Sequence, residues 1–415
     1  MKKNYKFVAK DKKTDIEESR KSLTYWQDVW RRLRKNKLAI AGLVGVGFIF
    51  IFAVIGPMLH NREPNTLHLD YKNVPPRLTV YSLDEDYDVF MSEMYHLMLV
   101  SEDGELLDRF ELADDDKDLI NRTYTYRLFD DEENELAVVV ADFTYQTDPV
   151  KKLEGIDYSL TYKGTEIKEA SYQTWNTSFY LGTDNNGRDL LARVMYGTGI
   201  SLIIAFVAAI INLFIGVIYG SVAGYTGGNT DIVMMRIVDI INSIPLLLYV
   251  ILLSVVLKDS WVEHNILDAI FGAGGLGTII LTLVTVYWVG MARLVRGQIL
   301  GLKEQEYILA ARTIGVPNRK IISKHLVPNA LGPIIVSMTM MIPSAVFTEA
   351  FLSFIGIGVS APQASWGTLA NDALNGLRSF GYQLFFPSIA ICITMLAFNF
   401  LGDGLRDALD PRLRK

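Results

Sequence analysis

Few side chains in this 415-residue chain have the type and spacing for bond-making chemistry. The stretch Gly272-Ala273-Gly274-Gly275-Leu276-Gly277 comes nearest to a phosphate-cradling loop, but it lacks the Gly-Lys-Ser/Thr ending that grips phosphates. It reads instead as a flexible membrane-entry loop or a site of close helix packing. The five histidines are scattered and form no His/Glu metal spacing. The one cysteine, Cys392, lies in an apolar run, which rules out an intramolecular disulfide and a Cys-based metal centre. No nucleophile–base constellation is visible. The chain therefore reads as non-catalytic, binding no metal or cofactor of its own.

Chemistry of another kind is concentrated between Glu304 and Asn329, EQEYILAARTIGVPNRKIISKHLVPN. Glu304 and Glu306 suit the first turn of a helix, Ala310-Ala311 its body and Arg312 its C-terminal end. Gly315 is free to take a positive φ, Pro317 suits the first turn of a second helix, and Pro328 limits that helix. A compact, basic helix–Gly–helix between two apolar runs is built for docking another protein. Charges inside apolar runs are the other functional signal, because they are costly in lipid. Glu349 lies within one such run, either lining a path or bonding a neighbouring helix; Arg236 and Asp239 lie near the end of another.

The elements that must position these residues follow from hydropathy. Half the residues are hydrophobic, and they cluster in runs long enough to cross a bilayer. The pattern predicts an α-helical polytopic membrane protein with six transmembrane helices. These fall at 38–59, 202–222, 237–257 with Pro245 inside, 278–291, 334–355 and 384–401. Residues 1–37 form a cytoplasmic tail ending in an interfacial helix, where Leu23, Trp26, Trp30 and Leu33 recur at helical spacing. Residues 60–180 are acidic and lack a span-length run. Short alternating segments at 78–83, 95–100, 123–128, 136–145 and 158–162, separated by turn signals, predict an inserted extracellular β-rich or α+β domain between helices 1 and 2. Residues 181–201 predict a helix along the outer surface, capped by Asp184 or Asn185. The helical core region is 181–415, with a cytoplasmic loop at 293–332.

Charge supports this crossing count independently. The 293–332 loop carries Arg293, Arg296, Lys303, Arg312, Arg319, Lys320 and Lys324, and the C-terminal tail Arg406, Arg412, Arg414 and Lys415. The short loops assigned outside carry only Lys258 and Arg378. The positive-inside rule then puts both termini in the cytoplasm of a multi-pass plasma-membrane protein.

The 304–329 segment resembles the characteristic cytoplasmic loop of ABC-importer permeases: Glu-Ala-Ala, three residues, Gly, nine residues, Ile-x-Leu-Pro. Ala310, Ala311, Gly315 and Pro328 match with spacing intact, whereas Leu309, His325 and Val327 stand where Glu, Ile and Leu are expected. Glu306, Tyr307, Arg312, His325 and Asn329 fit the variant found in the oligopeptide/dipeptide/nickel branch. Leu181-Gly182-Thr183-Asp184, Gly187-Arg188-Asp189, Gly224-Tyr225, Gly227-Gly228, Asp231, Arg236, Asp239 and Pro245 resemble further signatures of that branch. Tyr25 to Leu38 resembles the N-terminal segment of its second, C-type subunit. The resemblance implies a heterodimer with a second permease, two cytoplasmic ATP-binding subunits carrying ATP and Mg, and an extracellular substrate-binding protein. It implies transport of oligopeptides, dipeptides, nickel or another small solute. Residues 60–180 depart from the pattern, since a short connection is expected there; they read as a solubilising spacer, or as a dock or gate. Two other classes remain: a membrane-anchored extracellular binding or sensor module, and an ion-driven secondary transporter.

Overall fold

The structure is a computed structural model describing residues 24–60, 62–129, 134–361 and 363–410. The first 23 residues and the C-terminal Arg412, Arg414 and Lys415 lie outside the described residues. Helix α1 (Tyr25–Lys35) starts where the Thr24 backbone N–H donates to the Gln27 side chain at 3.0 Å. It ends at Asn36, whose side chain accepts from the Leu38 and Ala39 N–H groups and so caps α2 (Lys37–Val54). One asparagine thus turns an amphipathic helix into an apolar one. Val29 and Leu33 of α1 pack on Ala39, Val336, Ala408 and Leu409, so the basic N-terminal helix abuts the end of the chain's last helix.

Three further helices are long and apolar enough to cross a membrane without a break: α3 (Leu190–Thr226), α6 (Leu276–Leu302) and α9 (Leu331–Phe354). The last, α11 (Gly381–Leu409), makes five with α2 among the described residues. The run predicted as a straight third span is instead α4 (Gly228–Ser243) and α5 (Leu246–Leu257), bent by 85°. Pro245 explains the bend: it has no N–H for the helix ladder, and it forces Ile244 into an extended conformation (φ −87°, ψ 131°). The bent pair raises the count to six if it forms one span.

The separate surface helix expected at 181–201 does not form. From Leu190 onward those residues are the start of α3, whose 37 residues run about 55 Å against about 30 Å of hydrocarbon. The cap is Asp189, accepting from Leu191 and Ala192 N–H, rather than Asp184 or Asn185. Helix α6 likewise continues past Arg293 and Arg296 to Leu302, so the basic loop begins later than its charge suggests. The most extensive helix contact is α3 on α6. It is close because Gly216, Gly220 and Gly224 let the α3 backbone meet Met291, Ala292 and Arg296 of α6.

Between α2 and α3 in the chain, the described residues form ten strands: β1 (Arg77–Ser82), β2 (Asp88–Met91), β3 (Leu97–Val100), β4 (Leu106–Arg109), β5 (Lys117–Asp118), β6 (Thr123–Phe129), β7 (Glu135–Asp142), β8 (Ser159–Tyr162), β9 (Thr165–Ile167) and β10 (Tyr172–Trp175). They make two antiparallel five-stranded sheets, ordered β10-β1-β2-β3-β4 and β5-β6-β7-β8-β9. Val89, Met91 and Leu97 of the first sheet share a core with Tyr126, Leu128, Val139 and Leu160 of the second. The other face of the first sheet is also covered: Leu78, Val80, Phe90 and Met98 pack with Val74 and Phe179. Burial on both faces explains why β2 and β3 read as continuous apolar runs rather than alternating ones. All five predicted strand segments are strands; the short β2, β4, β5, β9 and β10 are additional to them.

The sheets are seated on the helices through residues 68–76 and 182–189. Val74 N–H donates to Thr183 Oγ1 (2.8 Å), Thr183 N–H to the Val74 carbonyl (2.9 Å), and Asn73 N–H to the Asp184 carbonyl (3.1 Å). From α11, Tyr382 OH donates to the Thr183 carbonyl (2.8 Å) and Gln383 Nε2 to Asn73 Oδ1 (2.9 Å).

Candidate permease core and coupling loop

The end of the bundle opposite the sheets carries the segment singled out from sequence. After α6, a short turn leads to α7 (Glu306–Thr313), then Gly315 at φ +80°, then α8 (Asn318–Ile321), a π-helical turn (Ile322–Leu326) and Val327–Asn329. Gly315 N–H donates to the Arg312 carbonyl and Val316 N–H to the Ala311 carbonyl, both at 3.0 Å. This is the reverse turn the sequence called for, and a positive φ is what restricts the position to glycine.

Ile308, Ala311, Ile321, Leu326 and Ala330 are buried in the bundle's core, holding the two short helices down. Facing away from it, Glu306, Tyr307, Leu309, Ala310, Arg312 and Gly315 are exposed, as are Pro328 and Asn329. Ile314, at the apex, is 80% exposed. Asn329 Nδ2 donates to the His325 carbonyl (2.6 Å) and to Tyr307 OH (3.3 Å), joining the loop's two ends. Ala311 and half-buried His325 therefore belong to the loop's seat and the other predicted residues to its exposed face, although the Arg312 guanidinium also lies over the Tyr225 ring of α3. Leu309, where the family pattern has an acid, adds an aliphatic side chain to that face.

The charged residues of the apolar runs have partners that sequence order does not reveal. Glu349 is fully buried in α9; its Oε2 accepts from Ser201 Oγ of α3, and its Oε1 from Ser353 Oγ, both at 2.8 Å. It bonds a neighbouring helix, one of the two roles open from sequence. Asp239 of α4 pairs with Arg293 of α6 at 2.8 Å on the surface, and Arg236 is exposed. The stronger tie went unrecognised: Asp231 of α4 takes a bidentate contact from Arg296, Nε to Oδ1 at 2.5 Å and Nη2 to Oδ2 at 2.6 Å. The pair holds the start of the bent α4–α5 unit to α6. The fork geometry of arginine suits a carboxylate.

At the sheet end, the 181–189 motif is a charge cluster. Asp184 Oδ2 accepts from Arg188 Nε (2.7 Å) and Arg193 Nη1 (2.5 Å), and Arg193 Nη1 also reaches Asp372 at 3.3 Å. Asp372 ends the short helix α10 (Trp366–Asp372), so the cluster staples α3 to α10. Asp189, 3% exposed as a side chain, pairs with His60 at 2.9 Å as well as capping α3.

The apolar helical bundle, with a buried carboxylate bonded between helices and a short exposed helix–turn–helix at one end, matches the fold class of membrane permeases. The family described as "Binding-protein-dependent transport system inner membrane component" matches residues 216–415, and "N-terminal TM domain of oligopeptide transport permease C" matches residues 24–76. The chain is 38% identical over 397 residues to the dipeptide transport system permease protein DppC of Bacillus subtilis (strain 168), covering 95% of this chain and 88% of that one. It is 50% identical over 259 residues to the oligopeptide transport system permease protein OppC of the same organism, covering 62% and 78%. It is 32% identical over 397 residues to DppC of Lactococcus lactis subsp. cremoris (strain MG1363), covering 94% and 92%. Among solved structures, an inward-facing MetNI methionine ABC transporter chain matches at 20% identity with a TM-score of 0.41, covering 52% of this chain and 96% of that one. The chain belongs to the oligopeptide/dipeptide ABC transport permease family.

Proposed function

We propose that this chain forms half of the translocation path of an ATP-driven peptide importer. It pairs with a second permease and receives its substrate, a dipeptide or oligopeptide, from an extracellular binding protein. Six spans cross the membrane, counting the bent α4–α5 unit as one. The basic end, with α1, the 303–329 loop and the end of α11, faces the cytoplasm, and the acidic sheets lie outside. The charge asymmetry supports this orientation: Arg31, Arg32, Arg34 and Lys35 of α1 gather at the same end as Arg312, Arg319, Lys320 and Lys324. The names of the relatives support the peptide substrate.

The observation that carries the reading is the loop. Its seat is buried while Tyr307, Leu309 and Ile314 are exposed, an apolar surface suited to a groove on a cytoplasmic ATP-hydrolysing subunit. That subunit, not this chain, holds ATP and Mg, and its closure moves α6 and α9 through the loop between them.

The test is reconstitution with the partner permease, ATP-hydrolysing subunits and binding protein in vesicles. Peptide uptake requires internal ATP. Ile314→Asp, which charges the apex without touching the seat, abolishes both uptake and attachment of the ATP-hydrolysing subunits. Uptake driven by an ion gradient without ATP would overturn the reading in favour of a secondary transporter. Unaltered attachment in the variant would overturn the docking role.

A further inference from the structure

Tyr225 stands at the last turn of α3, at the loop end of the longest helix, and is 8% exposed. Both short helices of the loop reach it. From α7, the Arg312 guanidinium lies over its ring, 4.9 Å from the centroid. From α8, Asn318 Oδ1 accepts its hydroxyl proton at 2.8 Å. Its neighbour Gly224 gives its carbonyl to Lys303 Nζ at 3.1 Å, from the residue that ends α6. Three consecutive pieces of the loop segment thus send one side chain each to two adjacent residues of α3.

The loop needs such a reference point. Helices of eight and four residues do not hold their own conformation in water, and Gly315 between them leaves their mutual angle soft. A Cβ built at Gly315 meets nothing within 4 Å, so the hinge itself adds no packing to the buried seat of Ile308, Ala311 and Ile321. Tyr225, gripped on its face by one helix and at its hydroxyl by the other, ties both helices of that seat to α3. The same helix α3 is bonded in its middle to α9 through Ser201 and Glu349, and at its far end to α10 through Arg193, Asp184 and Asp372. A displacement of the loop is therefore delivered to one rigid rod about 55 Å long, which holds α9 midway and α10 beside the seat of the sheets.

We infer that Tyr225 is the positioning residue that fixes both helices of the docking loop to α3 and so transmits ATP-driven loop movement along α3 to the sheet end. This rests on the docking role proposed above, and it assigns that movement a route besides the loop's covalent links to α6 and α9.

The test uses the complete transporter in vesicles and reads peptide taken up per ATP hydrolysed, at equal amounts of assembled complex. Tyr225→Leu removes both contacts and lowers that ratio about tenfold, because hydrolysis continues while the loop shifts without α3. Tyr225→Phe keeps the ring under Arg312 and loses only the hydroxyl, giving a smaller, few-fold loss. Asn318→Ala matches Tyr225→Phe, and the double variant is no worse than either, since both remove one bond. A purely structural role would lower the yield of complex and leave the ratio alone; that result, or an unchanged ratio in Tyr225→Leu, overturns the inference. Should Tyr225→Leu fail to assemble, Tyr225→Phe and Asn318→Ala decide by the same ratio. If the wild-type complex shows no substrate-stimulated hydrolysis, the proposed function itself falls; if it does and the variants match it, only this inference falls.

Discussion

Gly187 offers a direct test of how the sheets are joined to the helices. It sits at φ +73° in the turn between Asp184 and Asp189, and a Cβ there would overlap the carbonyl oxygen of His68. Gly164, in the β8–β9 turn, has almost the same backbone at φ +81° with open space around it. Substituting alanine at each therefore separates conformational strain from collision. Strain at positive φ costs roughly 1–2 kcal/mol for an L-residue, partly offset by about 0.4–1 kcal/mol from a stiffer unfolded chain. That is the whole expected effect for Gly164→Ala.

Gly187→Ala adds the separation of residues 68–74 from 182–184. It endangers the Asn73–Asp184 bond and the two Val74–Thr183 bonds, each worth about 1 kcal/mol net. The expected total is about 3–5 kcal/mol, which lowers the apparent unfolding temperature of the purified protein in detergent by about 5–10 °C relative to Gly164→Ala. Gly187→Ala should also speed protease cleavage within residues 62–76, which Gly164→Ala leaves slow. Equal unfolding temperatures for the two variants, with equal cleavage, would refute the claim that this turn is the seat of the sheets.

Two further expectations follow from side-chain environments. Glu349→Gln keeps an acceptor oxygen for one of the buried serine hydroxyls, Ser201 or Ser353, and offers an amide N–H to the other, so it should stay within about 1 kcal/mol of wild type, while Glu349→Leu strands both and costs about 1–3 kcal/mol for each unsatisfied group; equal thermal stability of the two variants would sink the bonding role. In the turn between β2 and β3, partial desolvation and then the nearby Asp157 charge raise the exposed Glu93 carboxyl above the ordinary glutamate range. The folded protein thus binds this proton more tightly than the unfolded chain. The resulting stabilisation is complete below the unfolded value of about 4.3 and lost as pH rises through the folded one. Glu93→Gln should therefore raise the unfolding temperature at pH 7 relative to wild type, and the gain should vanish near pH 4; a gain that persists in acid would contradict this account.

Local patterns settled much of this protein before any tertiary contact was known. Apolar runs marked the helices because lipid and core both exclude charge. Alternation and turn residues marked five strands, and the spacing Ala310-Ala311, Gly315, Pro328 marked the helix–Gly–helix loop because its turn is a property of a few consecutive residues. Glycine's tolerance of positive φ and proline's missing N–H act within one turn of chain, so they can be read in order.

What the sequence could not decide were the events that depend on distant partners. The separate helix expected before α3 vanished because its apolar face continued into the bundle. The third run bent by 85°, an angle proline permits but only packing selects. Glu349 found Ser201 across 148 residues and Tyr225 found Asn318 across 93. No periodicity encodes such pairs, since they exist only once α3 is laid against α9 and the loop. The residue types that make chemistry possible were written in the chain; which of them meet was decided by close packing, which brings one face of a helix against one neighbour and leaves the rest to lipid or water.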